Sequence, residues 1–405
     1  MAVIRPFRAL RPRPDLAPRV AAVPYDVVNV EEARALASGS ELSFLHVSRA
    51  EIDLPLETDP YSDAVYERAR TNFDRLRSTA LIEEPFPKLY FYRLRMGAHE
   101  QTGLAACYSI EEYNQGLVKK HEKTRPDKED DRTRHVGCLR AQTGPVLLTY
   151  RPQPSIDVLR ARVCAGVPLY DFIAEDGVAH TLWRAEPDTC EALIAAFDEV
   201  SELYIADGHH RAASAARAHT AMAATAEAAG EHAWFLAVAF PDDEVQILPY
   251  HRVVKSLSGM SETQFLEALA ACGTLEPGGP SPSRRGQCTV YVGGSWHALT
   301  LRPSLTGSAD PTTALDAAVL QETVLGPVLK IGDPRTDKGI DFVGGIRGPG
   351  ELERLVRNGQ AAAAFSMFPV SVAELMAVAD AGAIMPPKST WFEPKLRDGL
   401  LVHLI

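Results

Sequence analysis

Leu203-Tyr204-Ile205-Ala206-Asp207-Gly208-His209-His210-Arg211 passes from apolar to charged within a few residues, and this passage decides how the chain is read. Glu202 to Ala206 predicts a short buried strand. Arg211 to Ala229 is rich in alanine and free of Pro and Gly, which predicts a helix of high intrinsic propensity. A strand, a turn at Asp207-Gly208 and a helix opened by two histidines follow. The first N–H groups of such a helix have no intrahelical partner and carry the positive end of its dipole, so the turn suits a phosphate or a carboxylate. Gly208 permits close backbone approach or a positive φ. His209, His210 and Arg211 add donors at the same point. Asp207 is either an N-cap or a carboxylate that acts as base or Mg²⁺ ligand. Adjacent helical residues point apart, so His209 and His210 do not form a one-face zinc pair.

Around this centre, short apolar runs alternate with helical patterns, which predicts an α/β protein of mixed sheets. Strands are expected at 43–47, 88–94, 103–110, 145–150 and 340–343, at 362–367, and as a pair within 170–184. Helices are expected at 61–80, 156–165, 188–200, 315–329, 351–358 and 372–381. Trp234–Phe240 and Val245–Val254 read as paired strands. At 405 residues the chain exceeds one ordinary core. Two domains are expected, 1–255 and 256–405, divided ahead of the Pro/Gly/Ser-rich loop 276–286. Gly344-Gly345-Ile346-Arg347-Gly348 reads as a turn, because it lacks the dinucleotide-binding spacing.

Composition narrows the function. Hydrophobic residues make up 46% and charged residues 23%, the balance of a folded globular protein. The net charge of −11 works against nucleic acid as a partner and favours a small molecule. No run of ~18 apolar residues occurs and the N-terminus lacks a signal-peptide core, so no membrane partner and a cytoplasmic location are expected. Six scattered cysteines without CxxC spacing are expected to be reduced.

Three further segments carry chemistry. Lys119-Lys120-His121-Glu122-Lys123-Thr124, continuing to Arg132, supplies a possible acid–base pair and cations for phosphate oxygens. Met385-Pro386-Pro387-Lys388-Ser389-Thr390-Trp391-Phe392-Glu393-Pro394-Lys395 is a proline-stiffened loop with two lysines and two hydroxyls, and no Walker glycines precede it. Val23-Pro24-Tyr25-Asp26-Val27 places a carboxylate between apolar flanks.

Together these segments, with Asp341-Phe342-Val343-Gly344-Gly345, resemble the domain of unknown function 1015 family, in the family's order along the whole chain. The Asp-Gly-His-His-Arg turn is similar to the phosphate-binding signature of the ParB/sulfiredoxin superfamily, in which such a turn opens a helix beneath a nucleotide phosphate. Free-serine kinases carry a similar turn. The resemblance implies a ParB/sulfiredoxin-like catalytic domain over 1–255, and a second α/β domain over 256–405 that contributes the 385–395 loop. It implies a kinase using ATP or ADP with Mg²⁺ on a small hydroxyl substrate, free L-serine being the specific expectation. Asp207 would orient or deprotonate the hydroxyl, and Gly208, His209, His210 and Arg211 would hold the phosphoryl group. His121 and Glu122 would join the catalytic set. Lys119, Lys120, Thr124, Arg132, Lys388, Ser389, Thr390, Lys395 and Asp26 would bind the nucleotide. The same anion turn could instead serve a phosphate-ester or nucleotide hydrolase, or a ParB-like nucleotide-binding switch without catalysis.

Overall fold

The computed structural model describes residues 2–224, 230–302 and 310–405. The chain forms two compact units, Met1–Val245 with Pro394–Ile405, and Gln246–Glu393. The division therefore falls ahead of residue 255, and residues 394–405 return to the first unit. Pro249 accounts for part of the difference. It has no N–H and interrupts a ladder, so Ile247–Leu248 pairs with Trp391–Phe392 while Tyr250–Val254 pairs with Ile340–Gly344 and Ala363–Met367. Neither pairs with Trp234–Pro241, as the sequence had suggested.

The first unit is built on a nine-stranded sheet. Its main path runs Val118–Lys119, Leu203–Asp207, Val146–Tyr150, Trp234–Pro241, His99–Ser109, Tyr90–Met96, Ala179–Arg184 and Tyr170–Ile173, and Ile4–Arg5 adds to His99–Ser109. The sheet is mixed. Leu203–Asp207 is parallel to Val118–Lys119 and antiparallel to Val146–Tyr150, which in turn is parallel to Trp234–Pro241. The helix His209–Ala223 buries Ala212, Ala213, Ala215 and Ala216. These four alanines join a core that includes Leu148, Ile205 and Phe235. Small side chains on this helix permit close packing of the helix Pro126–Leu139, which begins with Pro at its first turn. The expected helix over 211–229 thus starts two residues earlier, and 225–229 lie outside the described residues.

Ser43–Val47 is not a strand. Leu45–Ser48 is helical, and Phe44, Leu45 and Val47 are buried with Phe73 and Leu76 of the helix Asp63–Thr79. A short apolar run does not distinguish the two periods.

The second unit has a six-stranded antiparallel sheet in the order Gly273–Pro277, Ser295–Leu301, Gln287–Val292, Ala363–Met367, Tyr250–Val254, Ile340–Gly344. Val254, Ile340 and Phe365 pack with Leu320 and Leu325 in one cluster, while Val253, Tyr291 and Val343 pack with Leu352 of the helix Gly348–Arg357 in another. The helix expected over 315–329 is shorter. Asp316–Leu320 continues as a π-helical turn, Gln321–Leu325, closed by the Gly326 N–H on the Gln321 carbonyl at 2.9 Å. All six cysteines are free. Among the described residues no helix is long and apolar enough to cross a membrane.

Candidate functional site

The strand Leu203–Asp207 loses register with Val146–Tyr150 between Ile205 and Asp207, an irregularity of the kind that re-aims a side chain. Gly208 then takes φ 96° and ψ 30° as N-cap of the helix, with no side-chain cap. Asp207 is therefore not the cap. Its Oδ2 accepts from Arg211 Nη2 at 2.7 Å, and its Oδ1 lies 3.4 Å from Lys395 Nζ. Arg211 Nη1 donates to the Pro145 carbonyl. Burial alone would raise the Asp207 carboxyl, but the Lys395 ammonium and the Arg211 guanidinium outweigh it and hold the group down at about 2. It is a fixed anion at neutral pH. The first intrahelical bond runs from the Ala212 N–H to the Gly208 carbonyl at 3.0 Å, which leaves the N–H groups of His209, His210 and Arg211 outside the helical ladder.

The two histidines diverge, and each meets the segment 121–125. His209 is buried and its ring meets that of His121 edge-on, with centroids 4.4 Å apart. His209 Nε2 accepts the His121 backbone N–H at 3.4 Å, while Nδ1 lies 3.7 Å from Glu122 Oε2. An accepting Nε2 places the proton of neutral imidazole on Nδ1, toward Glu122. Burial pushes the His209 pKa well below its ordinary value, with His121 adding to the effect. Burial likewise takes His121 down to about 4, against the pull of Asp207 and of the Ile205 carbonyl. Neither ring nitrogen of His121 completes a hydrogen bond of good geometry among the described residues. His210 Nε2 accepts the Arg125 N–H at 3.0 Å, and burial lowers its pKa too.

Behind Arg211 lies a group that the sequence reading missed. Asp398 is 2% exposed and its Oδ1 has no hydrogen-bond partner among the described residues. Burial pushes its carboxyl up to about 7, despite the opposing Arg211. Arg132 stacks on the Tyr25 ring, 4.2 Å from its centre, and Nε donates to Asp131 at 2.9 Å. Tyr25, Arg132, His135, Gln142, Arg211 and Asp398 enclose a cavity of about 40 Å³, room for a water or two and no more. Arg211 thus bridges the turn and this polar cavity. Asp26, beside Tyr25, is exposed and its charge reaches both Arg211 and His210.

Residues 4–318 match the family described as protein of unknown function (DUF1015). The chain belongs to that family. No curated protein matches it. Among solved structures, this DUF1015 chain is similar to a conserved hypothetical protein from Pyrococcus furiosus, with 15% identity over 74% of this chain and 95% of the other at a TM-score of 0.35. It is similar to a free serine kinase in complex with AMP, with 14% identity, 74% and 92% coverage and a TM-score of 0.36. It is similar also to SbnI from Staphylococcus aureus, with 13% identity, 74% and 87% coverage and a TM-score of 0.38.

In this DUF1015 chain the residues singled out in the sequence fall into three groups. His121, Glu122, Asp207, Gly208, His209, His210, Arg211 and Lys395 lie together in the first unit, with Arg132 on the cavity side of Arg211 and Asp26 near enough for its charge to reach Arg211 and His210. Lys119, Lys120 and Thr124 have other partners in the same unit, with Lys120 near enough for its charge to act on His209. Lys119 pairs with Glu202 at 2.6 Å, Lys120 Nζ sits 3.7 Å from the centre of the Tyr113 ring, and the Thr124 hydroxyl donates to Glu129. Lys388, Ser389 and Thr390 belong to the second unit, where Lys388 Nζ lies 5.4 Å from the Tyr250 ring centre and the Ser389 hydroxyl donates to the Pro386 carbonyl at 2.7 Å. The buried, charged tract Lys395-Leu396-Arg397-Asp398 was a signal for the missed residue, since charges inside an apolar C-terminal run need partners.

Proposed function

We propose that the first unit is a nucleotide-dependent phosphotransferase acting on a small hydroxyl metabolite, with free L-serine the first acceptor to try. One observation carries the reading. An ionised carboxylate, Asp207, is clamped between two cations beside a helix start opened by a left-handed glycine. Phosphoryl transfer asks mainly for positioning and charge neutralisation, and this arrangement offers both.

The N–H groups of His209, His210 and Arg211 seat phosphoryl oxygens, and Lys395 offsets their charge. Asp207 accepts a hydrogen bond from the acceptor hydroxyl and aims it at phosphorus. A carboxyl held at about 2 is a poor proton acceptor at neutral pH, so Asp207 orients rather than deprotonates. Glu122, less buried and facing His209 Nδ1, takes the proton as the new P–O bond forms and the donor's bridging P–O bond breaks. ATP would leave ADP, and ADP would leave AMP. Mg²⁺ fits as an ion carried on the donor's phosphates, with Asp207 and Glu122 as nearby carboxylates. When bound it would neutralise phosphate charge.

The test is phosphorus NMR of the purified protein with L-serine, Mg²⁺ and either ATP or ADP. Appearance of O-phosphoserine is the expected result. Its absence with both donors removes L-serine as acceptor. Inorganic phosphate released without an acceptor points to the hydrolase, and nucleotide binding without turnover points to the switch.

A further inference from the structure

The second unit contains a cavity of about 260 Å³ that the phosphotransferase does not use. Arg252, 4% exposed, projects into it from the strand Tyr250–Val254. Nη1 donates to the Tyr250 carbonyl, Nη2 donates to the Lys388 carbonyl at 3.2 Å, and the guanidinium lies 5.6 Å from the Phe342 ring centre. Among the described residues no carboxylate forms an ion pair with it. Burial lowers its pKa to about 10, with only Tyr250 and Cys288 pulling the other way. Buried charges in proteins are paired or ligand-bound, and two of the five N–H donors of this one are spent on carbonyls.

Half-buried Gln321 lines the same cavity. Gln321 Nε2 donates to the Ile331 and Gly332 carbonyls, each at 3.0 Å, which fixes the amide's orientation. Its Oε1 is buried and accepts no hydrogen bond among the described residues. Gln321 also opens the π-helical turn Gln321–Leu325, a local widening that recurs at functional sites.

We propose that this cavity binds a small monocarboxylate metabolite bearing its own hydrogen-bond donor, such as an amino acid or a hydroxy acid. The carboxylate pairs with Arg252 and the donor reaches Gln321 Oε1. The volume lies below the range of drug-sized ligands and suits a compound of this size. Glu322, Asp333 and Arg335 complete the charged lining, so the cavity balances two cations with two anions and disfavours a doubly charged phosphate. Pro386 and Pro387 form part of its wall, which gives the 385–390 segment a role that involves no nucleotide. This site is independent of the activity proposed for the first unit.

The experiment is isothermal titration of the full chain with L-alanine, with L-lactate and with inorganic phosphate. Saturable binding of at least one of the two carboxylates is expected, weakened about tenfold or more in Arg252→Met. Removing a buried cation without a counter-charge should leave the ligand-free Tm unchanged or higher, whereas a purely structural Arg252 would lower it. Ala318→Leu fills the cavity from the helix side without touching Arg252 and should also lose binding, so it decides the matter if Arg252→Met fails to fold. No binding of either carboxylate, binding that survives both substitutions, or binding of phosphate alone would each overturn the proposal.

Discussion

A Cβ at residue 144 would lie 2.2 Å from Asp398 Oδ1, so Gly144 and the buried Asp398 carboxylate share a space that has no room for one more carbon. Asp398 is 2% exposed and cannot swing into solvent. Gly144→Ala should therefore destabilise the protein by ~1–3 kcal/mol, the usual cost of overpacking, measured by chemical denaturation.

Asp398 also sets a pH dependence. Its folded pKa, about 7, stands above the ordinary value of 3.8. The folded state then binds more protons than the unfolded state between these values, and stability falls as pH rises from about 4 to 7. Asp207 has the opposite sign, with a depressed pKa of about 2, and its contribution is lost only as pH falls from about 4 toward 2. Asp398→Asn should flatten the wild-type decline between pH 4 and 7 in urea titrations. An unchanged slope would place the titration elsewhere.

Arg211 and His210 separate structure from chemistry. Arg211 is buried among Asp26, Asp207 and Asp398, so Arg211→Ala leaves carboxylates without their cation and should cost ~3–5 kcal/mol. Among the described residues the His210 side chain accepts one hydrogen bond, from the Arg125 N–H. His210→Ala should cost ~1 kcal/mol while lowering phosphoserine formation about tenfold or more. Thermal unfolding and the phosphorus NMR assay, run on both proteins, check the contrast.

Gly208→Ala tests the turn itself. The position has φ 96°, and a Cβ there would approach Arg211 Nε to 2.9 Å. Backbone strain alone costs ~1–2 kcal/mol, and displacement of Arg211 adds to it. A second readout is the Asp207 carboxyl: with Arg211 displaced, its carbon-13 titration midpoint should move up from about 2.

How much of this was legible in the sequence depended on range. The strand, turn and helix around Asp207 were readable because their signals are local: an apolar run, a glycine, an alanine-rich stretch. His121 and Glu122 stood out by charge, and they do meet His209. Lys395 was singled out too, although it reaches Asp207 from 188 residues away, which no periodicity records. Asp398 went unnoticed for that reason, since its partners Arg211, Arg132 and Gly144 lie far off in the chain. Lys119 and Lys120 looked like phosphate ligands, but ordinary neighbours, Glu202 and Tyr113, engage them. The residue types at positions 119 and 120 were informative only once their surroundings were known.

The two-stranded ribbon of Ile247–Leu248 and Trp391–Phe392, with the Glu393 N–H on the Gln246 carbonyl at 3.2 Å, brings together the first and last residues of the module Gln246–Glu393. Both ends of the module emerge side by side. A gene can lose, shorten or exchange such a module without rerouting the chain that carries Asp207 and Lys395. Selection can thus tune the Arg252 cavity and the Asp207 turn as separate loci.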